Sequence, residues 1–126
     1  MTLSESICLG ATKRPRCEGR PFKALGIPTQ AVGEWTVASC LVGAAFEAYT
    51  GTIASGVVQT HVYATVRRAF PVATRMGVAC PECTYFHDDH LRPIGELLDV
   101  AVHGNDFHHW SREQGADFIR TFEETR

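Results

Sequence analysis

Apolar residues recur at helical spacing along most of the chain. Leu3, Ile7 and Ala11 stand four apart behind Ser4, which predicts a short amphipathic helix capped by Ser4 and stopping near Lys13, before Pro15. Three prolines and three glycines then interrupt every period between Arg14 and Gly33, so residues 14–35 read as a long irregular loop. Such a length is unusual in a compact domain. Val37, Cys40, Leu41, Ala44, Ala45 and Ala48 restore the helical period over Thr36 to Tyr49, with Gly51 as the stop. This is the expected central helix, and Cys40 on its apolar face reads as a core residue.

Val58, Val62, Thr65, Val66 and Ala69 predict a further helix over Ser55 to Phe70, ended by Pro71, although its β-branched content also suits a strand. His61, near that stripe, reads as a core or boundary histidine. Arg92 to Val102 carries Pro93 in a first turn and Ile94, Leu97, Leu98, Ala101 and Val102 on one face. Ser111, with Gln114 three residues on, opens a last helix through Ala116, Phe118, Ile119 and Phe122. The expected class is therefore mainly α.

At 126 residues the chain has the length of one ordinary domain. Charged residues make up 21% of it and hydrophobic ones 44%, a globular balance rather than a disordered one. The formal charge of -2 excludes a general attraction to nucleic acid or acidic membranes and leaves only a local patch: Lys13, Arg14, Arg16, Arg20 and Lys23, against the single acid Glu18. No apolar run approaches the ~20 residues of a membrane span, and Met1-Thr2-Leu3-Ser4-Glu5 does not resemble a signal peptide, so a cytoplasmic location is expected.

Chemistry concentrates in the C-terminal half. Two of the five cysteines form Cys80-Pro81-Glu82-Cys83, a knuckle whose turn can aim two thiolates at one tetrahedral ion. In a reducing compartment that pattern favours metal over a disulfide framework. His103 and His108, with four residues between them and nineteen between Cys83 and His103, fit the other half of a Cys2His2 zinc site. His87 and His90 compete for the role, in a more cramped loop. A regular continuation of the preceding helix would point His103 away from its apolar stripe. Either the helix closes at Gly104-Asn105, or the knuckle packs on its other face. The predicted organisation is one domain over 1–126, helical over 1–76 and zinc-binding over 77–126.

Two cysteines and two histidines close a coordination shell, which points to a structural rather than a catalytic zinc. The H-x-E signature of zinc deaminases is missing, since Val62 and Tyr63 follow His61, and no phosphate-binding loop, nucleophile elbow or H-E-x-x-H helix occurs. Glu82, Asp88 and Asp89 stand near enough in sequence to orient ligand histidines, or to be solvated acids.

The segment His103-Gly104-Asn105-Asp106-Phe107-His108-His109-Trp110-Ser111-Arg112-Glu113-Gln114 resembles the H-L-N-D-x-H-x-W-[ST]-R-E pattern of a group of small uncharacterised bacterial and phage-type proteins, in which a C-P-x-C knuckle precedes it. Leu3 to Ala11 and Ser39 to Ala48 are similar to that group's L-S-E-A-I-R-L-G-A and S-C-A-L-G-A-A-L-E-A stretches. The resemblance implies Cys80, Cys83, His103 and His108 as ligands, and implies no activity. Gly104 and Gly115 depart from it, standing where leucine and isoleucine are usual.

Three functional expectations follow. The first is a non-enzymatic protein-interaction or regulatory module, of phage or prophage origin, with Trp110 either an exposed anchor for the partner or a staple on the last helix. The second is zinc-dependent nucleic-acid binding through Arg14, Arg16, Arg20 and Lys23, joined by Arg67, Arg68 and Arg75. An enzyme comes last, because no nucleophile with a base and no open metal position can be named.

Overall fold

The computed structural model describes residues 1–25, 36–53, 59–83 and 94–124. Their order is α1 (Leu3–Ala11), β1 (Phe22–Leu25), β2 (Thr36–Ser39), α2 (Leu41–Thr50), α3 (Gln59–Ala69), a 3-10 turn (Pro71–Thr74), β3 (Val78–Ala79), β4 (Ile94–Gly95), α4 (Leu97–Phe107) and α5 (Arg112–Glu123). The fold is mainly helical, with two small antiparallel ribbons, β1 with β2 and β3 with β4.

The helix α1 starts earlier than its apolar period indicates. Thr2, not Ser4, is the cap: its hydroxyl accepts the Glu5 N–H while the Glu5 carboxylate accepts the Thr2 N–H, a reciprocal capping box. Ser4 is buried and turned to another use. Its N–H (3.1 Å) and its hydroxyl both donate to the carboxylate of Glu123, at the far end of α5. The first turn of α1 and the last turn of α5 are thereby joined. A carboxylate also suits the positive end of a helix dipole.

Two expectations over the next segment are corrected. The stretch 14–35 is not without regular structure, since Phe22–Leu25 pairs with Thr36–Ser39 in the register Phe22↔Ser39 to Leu25↔Thr36. The predicted helix over Thr36 to Tyr49 accordingly gives up its first turn to β2 and begins at Leu41. Thr36 and Val37 are β-branched and suit a pleated strand, and their pairing partner lies beyond any local window. α2 is the central helix, buried from Leu41 through Glu47. Burial raises the Cys40 thiol to about 12, so at neutral pH it is a protonated core residue.

Close packing of α2 depends on missing side chains. A Cβ on Gly10 of α1 would stand 1.9 Å from the Ala44 carbonyl oxygen, and one on Gly43 would stand 2.1 Å from that of Pro21. Glu47, also buried, is held by the Arg14 guanidinium at 2.9 Å. α3 is a helix, as its period indicates, with Val62, Thr65 and Val66 inward. His61 is exposed rather than part of the core, its ring set edge-on to Phe46 at 5.9 Å.

The helix expected over Arg92 to Val102 lies further along the chain. Ile94 and Gly95 pair with Ala79 and Val78, and α4 runs from Leu97 to Phe107, while residues 92 and 93 fall outside the described residues. α5 opens on the expected Ser111–Gln114 capping box. Its first residue, Arg112, is buried and donates to the Ala11 carbonyl (3.1 Å) and the Ser39 hydroxyl (3.0 Å), fixing α5 against the end of α1 and against β2. The core draws on both halves of the chain, from Leu3 and Ile7 to Ala116 and Ile119.

Candidate metal centre

Four side chains converge where the β3 turn meets the end of α4. Residue Val78 of β3 is buried and leads into the knuckle, where Cys80 is buried and Cys83 is half-buried. Helix α4 presents His103 from its outer face. His108 follows one residue past its end, where the backbone leaves the helix at φ -103° and His109 turns left-handed at φ 57°. Both the His108 and the Trp110 amides donate to the Gly104 carbonyl at 3.1 Å, which closes α4. The helix thus runs beyond Gly104-Asn105. The knuckle packs on the face away from the apolar stripe, the second of the two arrangements the sequence allowed.

One ligand atom from each of Cys80, Cys83, His103 and His108 lies within 4.8 Å of every other. Cys83 Sγ is 3.3 Å from both His103 Nε2 and His108 Nε2, and the two nitrogens are 3.0 Å apart. Around a tetrahedral zinc, bond lengths of ~2.0 Å to nitrogen and ~2.3 Å to sulfur place two nitrogens ~3.3 Å apart and a nitrogen and a sulfur ~3.6 Å apart. These three separations are within a few tenths of an ångström of those values, and Cys80 lies within the same 4.8 Å limit, so the four residues are close enough to coordinate a metal ion.

The electrostatics of the metal-free cluster point the same way. Burial, and then the neighbouring His108, push the His103 imidazole below its ordinary range, which keeps it neutral with a lone pair to offer. Burial, and then Cys80, raise the Cys83 thiol, so a thiolate there calls for a cation close by.

Residues around the four are ordered as well. Glu82, between the two cysteines, places Oε2 3.3 Å from His108 Nδ1, and its Oε1 accepts the Trp110 indole N–H at 2.7 Å. The Phe107 ring stacks on His103 at 5.0 Å while remaining largely exposed. Trp110 is 6% exposed, so it is not an anchor open to a partner. It lies over Gly104, where a Cβ would meet its ring at 2.1 Å, and 5.4 Å from Phe118 of α5, the staple arrangement. Gly104 is what admits this ring.

His87 and His90, the competing pair, and Asp88 and Asp89 lie outside the described residues. The basic cluster divides. Arg14 pairs with Glu47, and Arg16 donates to the carbonyl oxygens of Trp110 (2.8 Å) and Asn105 as well as to Glu18. Arg20 and Lys23 are exposed. Arg67 binds Glu96 and Asp99, and Arg75 lies over the Phe122 ring. The role of Arg16, a clamp on the end of α4, had no signal in the sequence, because its acceptors are backbone carbonyls.

Among the described residues no helix is long and apolar enough to cross a membrane. No protein-family model matches the chain, and neither curated proteins nor solved structures give a significant match to it.

Proposed function

We propose that the protein is a small, zinc-stabilised, non-enzymatic module of the cytoplasm that works as a regulator by binding a partner protein. The carrying observation is the donor set. Two thiols and two imidazoles lie close enough together to hold one metal ion, and four such ligands around a tetrahedral zinc would leave no position for a substrate or an activated water. Zinc suits mixed sulfur and nitrogen ligands and takes this geometry without preference from d-electrons. The ion would tie the knuckle to both sides of the α4–α5 corner, giving a short chain a rigid surface. The sequence resemblance adds a phage or prophage origin to this reading.

Nucleic-acid binding is the less supported alternative. Arg14 and Arg16 are engaged within the fold, which leaves Arg20 and Lys23 of the four basic residues first in line for phosphates. Elemental analysis with thermal melts before and after a strong chelator tests the zinc reading. One zinc per chain and a large drop in melting temperature on chelation are expected. A metal-free protein of unchanged stability would refute it.

A further inference from the structure

We infer that Glu82 is a positioning residue that orients the metal ligand His108 and couples the metal centre to the α4–α5 corner. The inference rests on the zinc reading above and deepens it. Both carboxylate oxygens are used, each on a different residue of the α4–α5 connection. Oε2 faces His108 Nδ1 at 3.3 Å, and Oε1 accepts from Trp110 Nε1 at 2.7 Å.

The chemistry requires one orientation of His108. Its Nε2 is the atom turned to Cys83 and to His103 Nε2, so the lone pair for the metal must be on Nε2 and the proton on Nδ1. The negative charge of a carboxylate 3.3 Å from Nδ1 favours the proton there, and with it the tautomer that offers Nε2 to the ion. The Glu82 side chain is 51% exposed and nevertheless faces both groups. Glu82 sits between the two cysteine ligands, so whatever forms the knuckle also delivers the carboxylate to His108.

The second oxygen extends the effect. Trp110 lies on Gly104 of α4 and near Phe118 of α5, and its carbonyl accepts from Arg16. Seating the knuckle therefore fixes the indole, and the indole fixes the corner where the two helices meet.

The test is zinc affinity by competition with a chromophoric chelator, alongside the melting temperature of each zinc-free variant. Glu82→Ala should weaken zinc by about 10- to 100-fold, the usual cost of losing such a partner. Glu82→Gln is nearly isosteric and keeps one acceptor oxygen, which can serve His108 or Trp110 but not both, so its loss should be smaller than that of alanine. Trp110→Phe removes the indole N–H donor together with part of the ring packed on Gly104, and should cost less zinc affinity than Glu82→Ala. Wild-type zinc affinity in Glu82→Ala, whatever its melting temperature, would overturn the inference. So would equal losses in Glu82→Ala and Trp110→Phe with no further loss in the double variant, since Glu82 would then act through the indole alone. A wild-type protein that takes up no zinc would bring down the zinc reading itself, a distinct outcome.

Discussion

At the scale of single residues, metal binding is divided unevenly between the knuckle and the end of α4. Cys80 is enclosed and Cys83 half-open, while His103 and His108 come from a helix face and from its first non-helical residue. Removing either histidine leaves three protein ligands. His103→Ala and His108→Ala are therefore expected to lose stoichiometric zinc while His90→Ala retains it, as read by elemental analysis of the purified variants. The opposite pattern would move the site to His87 and His90. Acid should act in the same direction as these substitutions. Protons compete with zinc for the thiolates and imidazoles, so bound zinc should be released as pH falls below neutrality. In the chelated protein, His103 has a folded pKa below its ordinary 6.5, so the unfolded chain takes up that proton first. Its contribution to stability is present above about 6.5 and is lost as pH falls below that value. Melts of the zinc-loaded and chelated forms across that range check both statements. The four residues that come together were legible from the sequence because their spacing matches that of a Cys2His2 site. Glu82 was ambiguous, as nothing in C-P-E-C separates an orienting carboxylate from a solvated one until the His108 and Trp110 contacts are seen.

At the scale of elements, legibility followed how local the determining contact is. α5 was readable to its cap, because Ser111 and Gln114 carry their own hydrogen bonds. Ser111→Ala should cost about 1 kcal/mol in urea unfolding. The start of α1 was misplaced because Ser4 looks like a cap but serves Glu123, more than a hundred positions away in sequence. β1 and β2 were missed for the same reason: a four-residue strand is defined by its partner. The shift of α4 to Leu97–Phe107 reflects the β3–β4 pairing, which claims Ile94 and Gly95 before the helix can begin. Packing between elements was visible only in outline. Gly43, Ala44 and Ala45 of α2 leave room for a close neighbour, but nothing in the sequence marks Gly10 as the point of contact. Gly10→Ala puts a methyl against backbone at Ala44 that cannot move aside. It should destabilise the fold by about 1–3 kcal/mol or more, and a change below 0.5 kcal/mol in the urea midpoint analysis would contradict the tight α1–α2 crossing.

For the whole molecule, the C-terminal part and the N-terminal helices share one apolar core and are also joined by specific polar ties. Glu123 binds the first turn of α1, Arg112 reaches the end of α1 and β2, and Arg16 grips the end of α4. Arg112 is the most enclosed of these and satisfies its buried charge with carbonyl and hydroxyl oxygens among the described contacts. A lysine cannot reproduce the guanidinium fork. Arg112→Lys should therefore lose about 1–3 kcal/mol of stability, read from urea unfolding, without changing zinc stoichiometry. A zinc ion held by the four residues would act as a further tie, joining the knuckle turn to both sides of the α4–α5 corner, and it is on this tie that the proposed function depends. X-ray absorption at the zinc edge of the metal-loaded protein tests it most directly. The account predicts a four-coordinate ion with two sulfurs at ~2.3 Å and two imidazole nitrogens at ~2.0 Å. A shell containing fewer than two sulfurs, or oxygen ligands in place of a histidine, would contradict it.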